Sequence, residues 1–129
     1  MPCLAECGGF LYLHRELEDM AGRQWPMVGV LDARAYRTSR LGRFGYITLT
    51  ANEDTAFLPA GEAVRGHEFH YYESEDCGDA LHAQKPTGNR GWDCGHSRGD
   101  LLMGFPHLYY PSNPQFIERF LRRCAEKEV

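Results

Sequence analysis

An α/β fold with a partly parallel, mixed sheet and flanking helices is predicted by three features of this 129-residue chain. The apolar stretch Pro2-Cys3-Leu4-Ala5 runs through Glu6 to Cys7-Gly8-Gly9 and on into Phe10-Leu11-Tyr12-Leu13, which reads as strand, tight turn and helix. The continuous apolar run Met27-Val28-Gly29-Val30-Leu31 reads as a buried strand. Near the other end, Ser112-Asn113-Pro114 opens a helix with Asn113 as N-cap and Pro114 as first helical residue. Phe116, Ile117, Phe120, Leu121 and Cys124 fall on one face of that helix, and Arg119, Arg122 and Arg123 on its solvent side.

Each intervening element follows from a local pattern. Phe10, Leu13, Leu17 and Met20 recur at helical spacing and predict a helix ending near Gly22. With the strand at 27–31 it makes a strand, helix, strand unit, which normally places its strands in parallel with a right-handed crossover. Residues 34–43 are basic and turn-like. Aromatic and β-branched residues alternate with small or polar ones over 44–50, predicting a strand, and 64–72 is extended. Short antiparallel strands are expected near 81–85 and 91–94. Leu101-Leu102-Met103-Gly104-Phe105-Pro106 is the last apolar run. No repeat, low-complexity tract or linker interrupts the chain, which reads as a single domain over 1–129.

Composition removes several function classes. A net charge of -4 gives no electrostatic reason to expect nucleic acid. Hydrophobic residues at 43% against 25% charged exclude disorder. No apolar segment is long enough to cross a bilayer and the N-terminus has no signal core, so a cytoplasmic location is expected. Five cysteines, Cys3, Cys7, Cys77, Cys94 and Cys124, form no CxxC pair and fit free thiols better than a disulfide framework.

Chemistry is then sought in individual thiols and imidazoles. A cysteine on a strand-to-helix turn followed by two glycines has the pattern of a nucleophile elbow, in which small neighbours permit a strained turn. The free amides and dipole of the following helix are expected to favour the thiolate and lower the Cys7 pKa. Residue pattern alone leaves open a buried structural cysteine before an ordinary Gly-Gly turn. His107 stands just past the last apolar strand and can act as the base for Cys7, with the Gly8 amide stabilising an oxyanion. His67, Glu68 and His70 alternate on an extended segment, where they either orient His107, through Glu68, or serve packing. Cys77, His82, Cys94 and His96 lack the spacing of structural zinc knuckles, and no metal site is expected.

Four stretches in order resemble a known family: Ala5-Glu6-Cys7-Gly8-Gly9; Trp25-Pro26-Met27-Val28-Gly29-Val30-Leu31; Arg65-Gly66-His67-Glu68-Phe69-His70-Tyr71; and Gly104-Phe105-Pro106-His107-Leu108-Tyr109-Tyr110 with Ser112-Asn113-Pro114. Together they resemble the C-terminal glutamine amidotransferase domain of cobyrinic acid a,c-diamide synthase, in the cobyrinate and cobyrate branch of class I amidotransferases. The resemblance implies a flavodoxin-like class I fold, partial here. It also implies a cysteine nucleophile, Cys7, that attacks the side-chain amide of glutamine and passes through a glutamyl thioester, with His107 as base and Gly8 and Gly9 in the elbow. Class I enzymes commonly carry a glutamate two residues after the histidine, and Tyr109 stands there, so a Cys-His dyad is implied. The family's earlier strands, its oxyanion loop and its ATP-dependent synthetase domain are not represented, which implies an N-terminally truncated glutaminase part. No cofactor is expected on this chain, with ATP and Mg2+ implied for the synthetase domain. The expected partners are glutamine, that synthetase domain or chain, and a second copy paired through the exposed edge of the first strand. The rival is a non-catalytic remnant serving as a fold or docking module.

Overall fold

In the computed structural model, which describes residues 1–126, the first strand β1 (Cys3–Glu6) turns at Cys7 into a single helical turn, α1 (Gly8–Tyr12). The chain then continues as strand rather than helix. β2 (His14–Glu18) pairs in parallel with β4 (Leu31–Arg37) and antiparallel with β3 (Gln24–Pro26), and β7 (Tyr72–Ser74) closes the order β3-β2-β4-β7. The helix expected to reach Gly22 is therefore corrected to one turn, for two physical reasons. The Asp19 carboxylate accepts the amides of Ala21 and Arg23 and the indole N–H of Trp25 and so closes a hairpin, with Gly22 at φ 83. His14 ends α1 from the side: it is fully buried, its Nδ1 lies 2.8 Å from the Phe10 carbonyl and its Nε2 2.7 Å from the Ser74 hydroxyl. Because a carbonyl can only accept, Nδ1 carries the proton, and burial lowers the pKa of this ring.

The buried strand expected at 27–31 is likewise corrected. Residues 27–30 form a loop with Val28 and Val30 exposed, and Gly29 turns the chain at φ 81. The strand begins at Leu31 and buries Leu31, Ala33 and Ala35 on alternate positions. β1 takes its parallel partner from far along the chain, pairing with β11 (Leu101–Gly104) in the register Cys3↔Leu101 to Glu6↔Gly104; β10 (His96–Arg98) lies antiparallel on the other side of β11. Among the described residues β1 has a ladder on this one edge only.

The strands expected over 44–50 and near 81–85 and 91–94 lie together in the third sheet. The extended stretch expected over 64–72 is divided, its first part joining this sheet and Tyr72–Ser74 the sheet ordered β3-β2-β4-β7, and the strand at 107–109 has no counterpart in the sequence pattern. β5 (Gly45–Ala51) buries Ile47, Leu49 and Ala51 while turning Tyr46 and Thr48 outward. It is flanked by β6 (Ala63–Glu68) and β8 (Leu81–Gln84), with β9 (Gly91–Cys94) and β12 (His107–Tyr109) at the two ends of an antiparallel sheet ordered β12-β6-β5-β8-β9. The architecture is mixed α/β with three sheets and two helices among the described residues.

A 3-10 turn, Tyr110–Ser112, leads into α2 (Pro114–Glu126). Phe116, Ile117 and Phe120 pack on the sheet core, but Leu121 and Cys124, expected on the same face, are exposed. Arg119, expected in solvent, instead grips the Glu62 carboxylate with both terminal nitrogens at 2.9 and 3.0 Å. The Asn113 side-chain amide donates to Glu62 and to the Ala63 carbonyl, tying the start of α2 to β6.

Candidate functional site

Cys7 is the only non-glycine residue with positive φ among the described residues, at φ 52 and ψ -104. A side chain in that region costs about 1–3 kcal/mol and persists only where neighbouring structure fixes the backbone. Here the Cys7 N–H donates to the Gly104 carbonyl at 2.9 Å, extending the β1–β11 ladder, and its carbonyl accepts the Leu11 N–H at 3.0 Å. Strain thus falls on the cysteine and not on the two glycines after it. Neither Gly8 nor Gly9 has positive φ; a Cβ on Gly8 would meet nothing within 4 Å, and one on Gly9 would lie 3.5 Å from the Ala5 Cβ, an ordinary contact. Gly8 leaves open space where a side chain would stand, while Gly9 faces Ala5.

The electrostatics of Cys7 differ from the sequence expectation. Burial pushes the half-buried thiol up and outweighs the lowering effect of the Gly8 amide, and the carboxylates of Glu68 and Glu6 push in the same direction as burial. Burial thus disfavours the thiolate of the unliganded chain, and the Cys7 Sγ lies 3.9 Å from the Phe69 carbonyl. Such a group needs a base before it can attack.

His107 opens β12 directly opposite His67 on β6. The approach of these strands depends on Gly66, where a Cβ would fall 2.8 Å from the His107 carbonyl oxygen and 3.1 Å from the Leu49 side chain. Gly66→Ala is therefore expected to force β12 off the sheet at a cost of about 1–3 kcal/mol, measurable as a lowered denaturation midpoint. The rings of His107 and His67 are 6.3 Å apart between centroids, and His67 lies 5.6 Å from Tyr46 and 6.2 Å from Phe44. Tyr46, Thr48, Arg65, His67, His107 and Tyr109 line an open groove of about 780 Å³ along β5, β6 and β12.

Cys7 does not line this groove, and among the described residues no hydrogen bond joins it to His107. Both stand near residues 67–69: His107 is opposite His67, and the Cys7 Sγ lies 3.9 Å from the Phe69 carbonyl. They are also linked through β11, since the Gly104 carbonyl that holds Cys7 lies three residues before His107.

Beneath this surface lies a charged layer. Glu68 is fully buried with its carboxylate 3.5 Å from the Arg43 Nε and 3.6 Å from the His70 Nε2. Arg43 also donates to both Glu73 oxygens at 3.0 and 2.8 Å. His70 is fixed by a 2.6 Å bond to the Tyr72 carbonyl and stacks on Phe105 at 3.9 Å and 11°. Glu68 and His70 thus turn to the face opposite His67, where they support Phe105, two residues before His107. Arg43 lies outside the four family-like stretches and Phe105 inside the last of them, but no local pattern shows what either one touches, because their partners are far away along the chain. Of the other thiols, Cys94 is pushed up to about 12 by burial and by the nearby Glu68, and burial raises Cys77. His82 pairs with Asp93 at 2.9 Å, His96 faces Asp76, and among the described residues no group of three His, Cys, Asp or Glu side chains is arranged as a metal site. No described helix is long and apolar enough to cross a membrane.

Comparison with known proteins gives the site a context. Residues 1–107, a span that includes both Cys7 and His107, match the profile of CobB/CobQ-like glutamine amidotransferase domains. Cobyrinate a,c-diamide synthase of Caldanaerobacter subterraneus subsp. tengcongensis is 35% identical over 127 residues, covering 97% of this chain and 28% of that protein. The protein of that name from Picrophilus torridus is 37% identical over 123 residues, covering 95% of this chain and 26% of its own length. The one from Synechococcus sp. is 34% identical over 128 residues, with 98% and 28% covered. The chain spans little more than a quarter of the length of these relatives.

Proposed function

The chain belongs to the family of CobB/CobQ-like glutamine amidotransferase domains, and from that membership we propose that it carries the glutaminase reaction of an ATP-dependent cobyrinate a,c-diamide synthase. The observation that carries this reading is the strained backbone of Cys7, inside the span that matches the family. A position that costs about 1–3 kcal/mol is kept where function uses it.

The reaction follows from the groups present. His107 takes the proton of the Cys7 thiol, whose raised pKa makes that transfer necessary at neutral pH. The thiolate attacks the side-chain carbonyl carbon of glutamine, and the developing oxyanion is stabilised by the Gly8 N–H beside the sulfur. The C–N bond breaks as the imidazolium protonates the leaving nitrogen, and ammonia departs from a glutamyl thioester. His107 then takes a proton from water, which attacks the thioester; the C–S bond breaks, and glutamate and the thiol are released. Ammonia passes to the corrinoid carboxylates activated in the synthetase portion, to which ATP and Mg2+ belong.

A diazoketone analogue of glutamine tests this reading. It is expected to alkylate Cys7 and no other cysteine, with labelling slowed by excess glutamine and absent in Cys7→Ala. Labelling spread over the exposed thiols, or unaffected by glutamine, would favour a non-catalytic docking module. Among the described residues β1 is paired on one edge only, which also leads us to propose that the chain associates with a second copy through that strand, since an unpaired apolar edge is a template for pairing. Light scattering is expected to report a dimer that Leu4→Lys converts to monomer; a monomeric wild-type chain would contradict this.

A further inference from the structure

The residue immediately before the nucleophile reaches across to the strand that carries the base. Glu6 ends β1, and its Oε2 accepts the backbone N–H of Leu108 at 3.2 Å, the residue immediately after His107. Its Oε1 accepts the hydroxyl hydrogen of Tyr110. β12 is the outermost strand of its sheet, paired on one side with β6, so the Leu108 amide faces away from any ladder partner and this carboxylate satisfies it. The other anchor is rigid. The Tyr110 ring stacks on the buried Phe116 of α2 at 5.7 Å, and burial together with the Glu6 carboxylate raises the phenol pKa, which keeps its proton available for this bond.

We infer that Glu6 is a positioning residue for the reaction: one carboxylate fastens the sheet edge bearing His107 to the strand ending at Cys7, and so sets the spacing of thiol and imidazole. This rests on the assignment of Cys7 and His107 as a dyad. No other hydrogen bond among the described residues joins β1 to β12. Without it β12 keeps three residues of pairing to β6, the bond from the Ser112 hydroxyl to the Tyr109 carbonyl and the core packing of Leu108, and an edge strand of that length shifts readily. The bridge asks for two hydrogen bonds from one side chain, which a glutamine can also make once the Tyr110 hydroxyl reverses its role from donor to acceptor. Its Oε1 takes the Leu108 N–H and its amide nitrogen donates to the Tyr110 oxygen, a hydroxyl able to accept as well as donate.

The test is a mutant cycle on the 129-residue chain, read as the rate of Cys7 alkylation by iodoacetamide at neutral pH. The readout is the ratio of rates with and without His107→Ala. Any direct effect of the Glu6 charge on the thiol is common to both members of each pair and cancels. With Glu6 present, removing His107 is expected to slow alkylation about tenfold; in Glu6→Ala the same removal changes the rate less than about twofold. Glu6→Gln restores most of the tenfold ratio, and Tyr110→Phe, which keeps the ring stacking, gives an intermediate one. Equal His107 effects with Glu6 and with alanine overturn the inference, as does a Glu6→Gln chain that behaves like Glu6→Ala, which would assign the effect to charge. If His107→Ala leaves alkylation unchanged even with Glu6 intact, the dyad itself fails, a separate result. Should Glu6→Ala not fold by circular dichroism, Tyr110→Phe and Glu6→Gln complete the cycle.

Discussion

Replacing Cys7 with glycine is expected to abolish all covalent chemistry at the elbow and, at the same time, to raise thermal stability. The side chain at φ 52 and ψ -104 bears a conformational cost of about 1–3 kcal/mol that glycine, lacking a Cβ, does not. Loss of a half-buried thiol offsets part of that gain, because its Sγ has only a long 3.9 Å contact to the Phe69 carbonyl. A net gain of about 1 kcal/mol, or a few degrees in melting temperature, is the expected result. Cys7→Ala separates the two effects: it removes the thiol equally but keeps the Cβ, so its melting temperature stays at or below that of the wild type. Calorimetry on the three proteins decides it. A Cys7→Gly chain no more stable than Cys7→Ala would mean that the elbow is not strained.

The second large effect is expected at Arg43. Its guanidinium faces the fully buried Glu68 at 3.5 Å and the Glu73 carboxylate at 2.8 Å, with its side chain itself largely enclosed. Removing one partner of a buried pair leaves an uncompensated charge and typically costs about 3–5 kcal/mol. Arg43→Met should therefore bring the protein close to unfolding, given that a domain of this size has about 5–15 kcal/mol to lose. Arg43→Met with Glu68→Gln should recover a substantial part, since the second change removes the buried charge the first exposed. Urea denaturation of the single and double variants checks both statements. The same layer supports His107 indirectly: His70, held between Glu68 and the Tyr72 carbonyl, is the flat surface on which Phe105 stacks.

How far the chain reveals itself depends on the distance over which each decision is made. β5, β8, β9 and α2 were legible because their burial alternates or repeats within one element, and a short window contains the whole signal. Residues 13–20 carry a helical spacing of Leu13, Leu17 and Met20, yet only the turn before them is helical. The hairpin closed by Asp19 and the parallel pairing of β2 with β4 override that spacing, and neither is visible from periodicity. The apolar character of 27–30 misled in a similar way, since Val28 and Val30 remain exposed in a loop.

The site divides along the same line. Cys7 stood out as a candidate because Gly8-Gly9 follow it and His107 because it follows the last apolar run, whereas the close approach at Gly66 had no signal of its own. The direction of the Cys7 pKa was not, because the helix-dipole argument is local while the burial and carboxylates that outweigh it come from distant segments. Arg43, Phe105 and the reach of Glu6 to Leu108 and Tyr110 connect positions separated by up to 104 residues, and no spacing rule encodes them.

The central claim is that Cys7 forms a glutamyl thioester with His107 as its base. The direct measurement is acid quenching of the chain milliseconds to seconds after mixing with glutamine, followed by mass mapping of the Cys7 peptide. The account predicts a glutamyl adduct on Cys7, absent in Cys7→Ser and formed more slowly in His107→Ala. An unmodified Cys7 at saturating glutamine, in a chain whose Cys7 still reacts with iodoacetamide, would contradict it.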